Sequence, residues 1–153
     1  MENITIRKGT VDDCDTVASY NIEMALESEG KELVPEIIRE GVKRALEGTV
    51  GAIYYVAVSS EENGGVVGQL MITTEWSDWR CAPIWWIQSV YVTPAFRKRG
   101  IFKALYHHAK EAAKEAGSCG LRLYADDDNT NAHATYERLG MSSHYKVFED
   151  MFS

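Results

Sequence analysis

The 153-residue chain falls within the usual size of one domain, and 45% hydrophobic residues suffice to build one sizeable core. A formal net charge of −7 argues against a general affinity for nucleic acid, which requires a cationic surface to neutralise phosphates. No stretch approaches the roughly 18 apolar residues of a membrane span, and the opening Met1 to Arg7 lacks the apolar run of a signal peptide, so a cytoplasmic chain without a membrane partner is expected.

Ile4-Thr5-Ile6-Arg7 alternates apolar and polar residues and predicts a strand. Thr10-Val11-Asp12-Asp13 then offers a cap of the T-x-x-D kind before a run in which Cys14, Val17, Ala18, Ile22 and Ala25 recur at helical spacing, ending before Gly30. Pro35 opens a second helix, where its missing N–H costs little, and Ile37, Ile38, Val42, Ala45 and Leu46 form the expected buried face before Gly48 and Gly51. Residues 52–58 are rich in β-branched and aromatic side chains and predict a strand; Glu61-Glu62-Asn63-Gly64-Gly65 turns it back into a partner over residues 66–74.

A polar loop with Trp76, Asp78, Trp79 and Pro83 leads into Ile84 to Val92, the most apolar strand of the chain and the predicted centre of a sheet. Thr93-Pro94 stops it. Ile101 to Ala116 reads as a helix with Phe102, Leu105, Ala109 and Ala112 or Ala113 on one face and Gly117 just past its end. Residues 121–125 predict another strand, Asp126 to Asn129 a cap, the stretch to Leu139 a last helix, and Met141 to Phe148 a final strand. With no repeat or linker, the order is βααβββαβαβ in one mixed α/β domain, residues 1–153. The crossover through the helix at 101–116 implies a parallel pair in an otherwise largely antiparallel sheet.

Against the acidic background, Arg97, Lys98 and Arg99 are consecutive and Lys103 follows one turn later. They lie between a strand and a helix. The first N–H groups of a helix have no intrahelical partner and present the positive end of its dipole, so this join suits a pyrophosphate, with Gly100 permitting close backbone approach. His107, His108, His133 and His144 lack metal-ligand spacing, and Cys14, Cys81 and Cys119 form no C-x-x-C pair; no metal site is expected, and the thiols read as reduced packing residues.

The join from Gln88 to Leu105, taken with Asn131-Ala132-His133-Ala134-Thr135-Tyr136-Glu137-Arg138-Leu139-Gly140-Met141, resembles the GCN5-related N-acetyltransferase (GNAT) superfamily over nearly the whole chain. In that family a Q/R-x-x-G-x-G/A loop binds the pyrophosphate of coenzyme A. Arg97, Lys98, Arg99, Gly100 and Ile101 occupy its first five positions, and Phe102 departs from the small residue of the sixth, either crowding the phosphates or turning into the core. The resemblance implies that Val90, Tyr91 and Val92 pair with the pantetheine arm, that Lys103 joins the phosphate site, and that Asn131 contacts the coenzyme arm. It further implies a Val90 N–H that stabilises the oxyanion and a Tyr136 that protonates the departing thiolate.

The activity so implied is transfer of an acetyl group from acetyl-CoA to a primary amine of a small molecule or peptide in a ternary complex. Family members often deprotonate the amine with a Glu on the central strand, where this chain has Gln88. Ordered water, Glu75 or Asp78, and bulk solvent remain open for that task. The acceptor is expected between the first two helices and the loop before the central strand, with Glu27, Glu75, Trp85 and Gln88 as lining candidates; the further acidity of Glu23, Glu29 and Asp78 points to a cationic amine. The aromatic loop before the central strand makes a homodimer plausible. Phe102 and Gln88 keep one alternative, a degenerate module that binds acyl-CoA without turning it over.

Overall fold

The computed structural model describes residues 3–153. One compact unit ends at Arg122 and a second spans Leu123–Ser153, although no linker composition marks the junction. The first holds β1 (Ile4–Lys8), α1 (Cys14–Glu29), α2 (Pro35–Leu46), β2 (Ala52–Ser59), β3 (Gly65–Ser77), β4 (Ala82–Val92), α3 (Ile101–Glu115) and β5 (Gly120–Arg122). The second holds α4 (Thr130–Arg138). The five strands lie in chain order, β1 through β4 antiparallel and β5 parallel to β4, as the crossover through α3 requires.

Strand alternation divides the core between the two faces of the sheet. On one face Ala52, Tyr54 and Val56 of β2 pack in one cluster with Val17 and Ala18 of α1 and Val42 and Ala45 of α2. On the other, Tyr55 meets His108 of α3 with ring centroids 5.0 Å apart. Polar groups tie α1 down: Asn21 Nδ2 donates to the Tyr54 hydroxyl at 3.0 Å, and Gln69 Nε2 donates to Val17 O at 3.2 Å and Asn21 Oδ1 at 3.3 Å. All of this is buried. The T-x-x-D signal forms as a capping box in which the Thr10 N–H donates to Asp13 Oδ2 at 2.8 Å, and Arg7 grips the same carboxylate at 2.8 and 2.9 Å.

Several sequence expectations need correction. Ile37 is 71% exposed, because the buried stripe of α2 runs through Ile38, Val42 and Ala45, one step around the helix. The loop expected at 75–83 is mostly hairpin: Glu75 faces Ile84, Trp76 faces Pro83 and Ser77 faces Ala82. Cross-strand backbone pairing holds this ribbon without the apolar alternation that marks a half-buried strand. Strand β5 is shorter than expected. Among the described residues no strand forms at 141–148, which carry no regular secondary structure. Cys81 and Cys119 are exposed and only Cys14 is half-buried, so the thiols are not packing residues as a group. Among the described residues no helix is long and apolar enough to cross a membrane.

Candidate active site

Strand β4 outruns its parallel neighbour. The ladder to β5 comprises Ile84 opposite Gly120, Trp85 opposite Leu121 and Trp86 opposite Arg122, whereas β4 continues to Val92. On its other side the register to β3 slips: Gln88 faces Met71 and Tyr91 faces Gln69, so Leu70 alone opposes Ser89 and Val90. Ser89 takes a φ of +53°, the left-handed backbone of a β-bulge. The bulge lifts backbone groups at Ser89 and Val90 out of the regular ladder, on the stretch of β4 that β5 has already left. An extended ligand arm can therefore add to this strand edge as a further strand would.

The end of β4 runs directly into the basic loop. A single 3-10 turn, Pro94–Phe96, precedes Arg97, and Lys98 (φ +61°) and Gly100 (φ +80°) both take the left-handed conformation before α3 begins. A glycine carries that φ without the Cβ penalty. The first intrahelical bond is Ala104 N–H to Gly100 O at 3.0 Å, so the N–H groups of the preceding turn have no acceptor within the helix, and that turn carries no acidic residue. Phe102 lies half-buried along the helix, its ring 6.2 Å from that of Tyr106 one turn on.

The four basic side chains have different tasks. Arg97 braces: its Nε donates to Val92 O at 2.9 Å, its guanidinium pairs with Glu27 of α1 at 2.8 Å, and it lies 5.4 Å from the Tyr91 ring centroid. Arg99 lies over the buried Phe96 ring at 4.5 Å and pairs with Glu61 at 3.0 Å. Lys98 and Lys103 are exposed and enter no ion pair among the described residues. Beneath them Tyr91 donates to Glu23 Oε2 at 2.8 Å, and its ring lies 5.3 Å from that of Tyr20. Burial first, then that hydrogen bond and the charges of Glu23 and Glu27, push the Tyr91 phenol up to about 12.

A family model for the acetyltransferase (GNAT) family matches residues 20–141. The chain belongs to this family. Among solved structures, a possible acetyltransferase from Clostridium difficile 630 is 40% identical, covers 99% of each chain and superposes with a TM-score of 0.88. An aminoglycoside acetyltransferase from an uncultured soil metagenomic sample shares the fold at 21% identity, over 98% of this chain and 99% of that one, with a TM-score of 0.74. Streptothricin acetyltransferase A of Bacillus subtilis (strain 168) is 33% identical over 92 residues, 60% of this chain and 47% of the relative, so the match spans about half of that protein's length.

In this GNAT chain the residues expected around the acceptor lie in the first unit, Glu75, Trp85 and Gln88 on strands and Glu27 on α1. Glu75 Oε1 accepts from Trp86 Nε1 at 2.7 Å and from Arg122 at 3.0 Å, a network across β3, β4 and β5. The Trp86 bond, with help from Arg122, holds the Glu75 carboxyl below the usual carboxylate range. Gln88 Nε2 donates to Thr73 Oγ1 at 2.7 Å, two residues along the same face of β4 from Trp86. Trp85 is only 5% exposed and belongs to the core; alternation gives the polar face of β4 to Trp86 instead. Glu27, on α1, is held by Arg97, and Asp78, in the hairpin turn, accepts from the Trp79 N–H at 2.8 Å.

Asn131 and Tyr136 lie on α4 in the unit Leu123–Ser153; Asn131 O accepts from Thr135 Oγ1 at 3.0 Å, and burial pushes the Tyr136 phenol up. Sequence reasoning missed Arg122, Tyr20 and Gly68. The last is the most consequential: a Cβ there would sit 2.8 Å from Ile101 Cγ2 at the start of α3, and nothing in the local pattern of β3 announces a glycine that lets a distant helix end approach.

Proposed function

We propose that this GNAT chain transfers an acetyl group from acetyl-CoA to a primary amine of a small molecule or peptide, by direct attack within a ternary complex. The observation that carries the reading is β4 running past β5, bulged at Ser89-Val90, into the N-terminus of α3. The donor set fits coenzyme A. The N–H groups of Ile101, Phe102 and Lys103 with the ammonium groups of Lys98 and Lys103 suit a pyrophosphate, Arg99 joins them by exchanging Glu61 for phosphate, and Gly100 keeps the approach open. Val90, Tyr91 and Val92 offer backbone groups to the pantetheine amides, and Arg97 positions that strand end by holding Val92 O. Asn131 is assigned to the coenzyme arm on the family resemblance alone.

The thioester supplies an already activated acyl carbon, so the protein has chiefly to orient an amine and place donors. The Val90 N–H is the proposed donor to the acyl oxygen. Tyr136, whose phenol is protonated at neutral pH as any tyrosine's is and is pushed further up by burial, is the proposed proton donor to the leaving sulfur. Glu75 is a poor base because its pKa is lowered; it serves instead as an anion that orients a cationic acceptor, with Trp86 and Gln88 beside it. Gln88 cannot take a proton near neutral pH, so deprotonation of the amine falls to water or to Asp78 in the hairpin turn. A small amine acceptor is supported by the names of the streptothricin and aminoglycoside relatives.

Calorimetric titration with acetyl-CoA and with free coenzyme A, beside an Arg99→Ala, Lys103→Ala variant, tests the cofactor site. Binding that weakens in the variant is expected, followed by turnover with a panel of cationic amines. Failure of the protein to bind either ligand would overturn the reading, and binding without turnover of any amine would make it a binding module.

A further inference from the structure

Tyr20, Glu23 and Glu27 follow one another along α1 at spacings of three and four, which puts them on one face of the helix. Each is engaged with the sheet or the basic loop. Tyr20 Oη donates to Val66 O of β3 at 2.6 Å, Glu23 Oε2 accepts from the Tyr91 hydroxyl of β4 at 2.8 Å, and Glu27 pairs with Arg97 at 2.8 Å. Two carboxylates four residues apart repel one another along a helix, so the partners they hold, and not helix stability, account for their placement.

The grip falls on the irregular part of the sheet. Ser89 and Val90 form the bulge, and regular pairing of β3 with β4 resumes at Gln69 opposite Tyr91. Both members of this closing pair are tied to α1 by their side chains, Gln69 Nε2 to Val17 O and Asn21 Oδ1, and Tyr91 to Glu23. Gln69 and Tyr91 are buried, whereas Glu23 is exposed. The Tyr91 ring is held as well, 5.3 Å from the ring of Tyr20 and 5.4 Å from the Arg97 guanidinium carbon. A bulge lacks the ladder bonds that fix a regular strand, so its geometry depends on what anchors its ends. At the end nearer the basic loop that anchor is one buried phenol bonded to one carboxylate, on the residue that directly follows Val90.

We propose that Glu23 is a positioning residue for acyl transfer: by accepting the Tyr91 hydroxyl it fixes the end of the β4 bulge, and with it the direction of the Val90 N–H. The inference rests on the acyl-transfer reading, in which that N–H meets the acyl oxygen. Glu23 itself neither takes the amine proton nor touches the substrate. Its acceptor oxygen matters and its charge does not, and the side-chain carbonyl of a glutamine supplies the same acceptor.

Steady-state kinetics with acetyl-CoA and an accepted amine, drawn from a panel of cationic amines, test the role. Glu23→Ala and Tyr91→Phe should each lower kcat about tenfold, less than the roughly hundredfold that a 1 Å misplacement can cost. Combined, they should lose no more than either alone, because both remove the same bond. Glu23→Gln should recover most of the turnover. Hydrogen exchange across the bulge, at residues 68–71 and 88–92, should quicken in Glu23→Ala and Tyr91→Phe and keep the wild-type rate in Glu23→Gln; a general loss of stability would instead spread over the whole sheet. Calorimetry giving one coenzyme A per chain would show that each variant folds. If Glu23→Gln were as slow as Glu23→Ala, Glu23 would act through its charge or as a base, and the positioning role would fall. It would fall equally if the two losses added, or if Glu23→Ala turned over at the wild-type rate. A wild type that turns over no amine would overturn the acyl-transfer reading itself, an outcome distinct from an active wild type indifferent to Glu23.

Discussion

Gly68→Ala probes the contact that seats the start of α3, where the anion site is proposed. The new Cβ would stand 2.8 Å from Ile101 Cγ2 and 3.4 Å from Leu105 Cδ1, so against an ordinary contact starting at 3.4 Å the first distance is short by about 0.6 Å. Ile101 and Leu105 are both buried, at 2% and 0% exposure, and neither can swing away into solvent. Overpacking of this kind costs roughly 1–3 kcal/mol. The strain is relieved most readily by moving the first turn of α3, which carries the N–H groups proposed to bind pyrophosphate. Urea denaturation should show the loss of stability, and calorimetry should show weaker coenzyme A binding. Gly41→Ala supplies the control: the same added methyl lies in α2 with nothing within 4 Å and should stabilise by about 0.5–1 kcal/mol. If Gly68→Ala were as benign as Gly41→Ala, or kept full affinity for coenzyme A, the contact would not be positioning the helix.

Four further outcomes follow from the contacts described. Asp13→Asn should cost about 1–2 kcal/mol at neutral pH by weakening the cap and the Arg7 pair. Because the Arg7 bond holds the folded Asp13 pKa below its unfolded value, that stability is present above the unfolded pKa and is lost as pH falls through the folded one; the gap between wild type and variant in denaturation midpoints should therefore close in acid. Asn21→Ala leaves buried Gln69 Nε2 and the Tyr54 hydroxyl each short of a partner and should cost roughly 1–3 kcal/mol; thermal melts showing no change would contradict the network. Glu75→Gln should raise KM for cationic amines by about three- to tenfold with kcat nearly unchanged, and equal effects on neutral amines would count against a charge role. Tyr136→Phe should lower kcat by roughly a hundredfold while sparing acetyl-CoA binding, and undiminished turnover would remove the proposed proton donor.

The sequence by itself determined the elements whose signals are local. The Thr10 to Asp13 cap, Pro35 at a helix start, the hairpin turn at Asn63-Gly64 and the strand, basic loop and helix from Gln88 to Lys103 each depend on neighbours a few residues away, and each stands where it was expected. The same locality carried the resemblance to the family whose model matches residues 20–141. What the tertiary structure decided depends on residues far apart in the chain. Arg97 and Arg99 look equivalent in sequence, yet Glu27 and Glu61, from two other elements, give one a bracing position and the other a place over Phe96. Glu75 reads as a loop carboxylate until Trp86 and Arg122, from two further strands, converge on it and lower its pKa. Residues 141–148 read as a strand by composition, yet take no regular secondary structure, because β-propensity alone does not supply the pairing that defines a strand. Gly68 carries no local signal at all, because its reason is a helix end packed against it from more than thirty residues away.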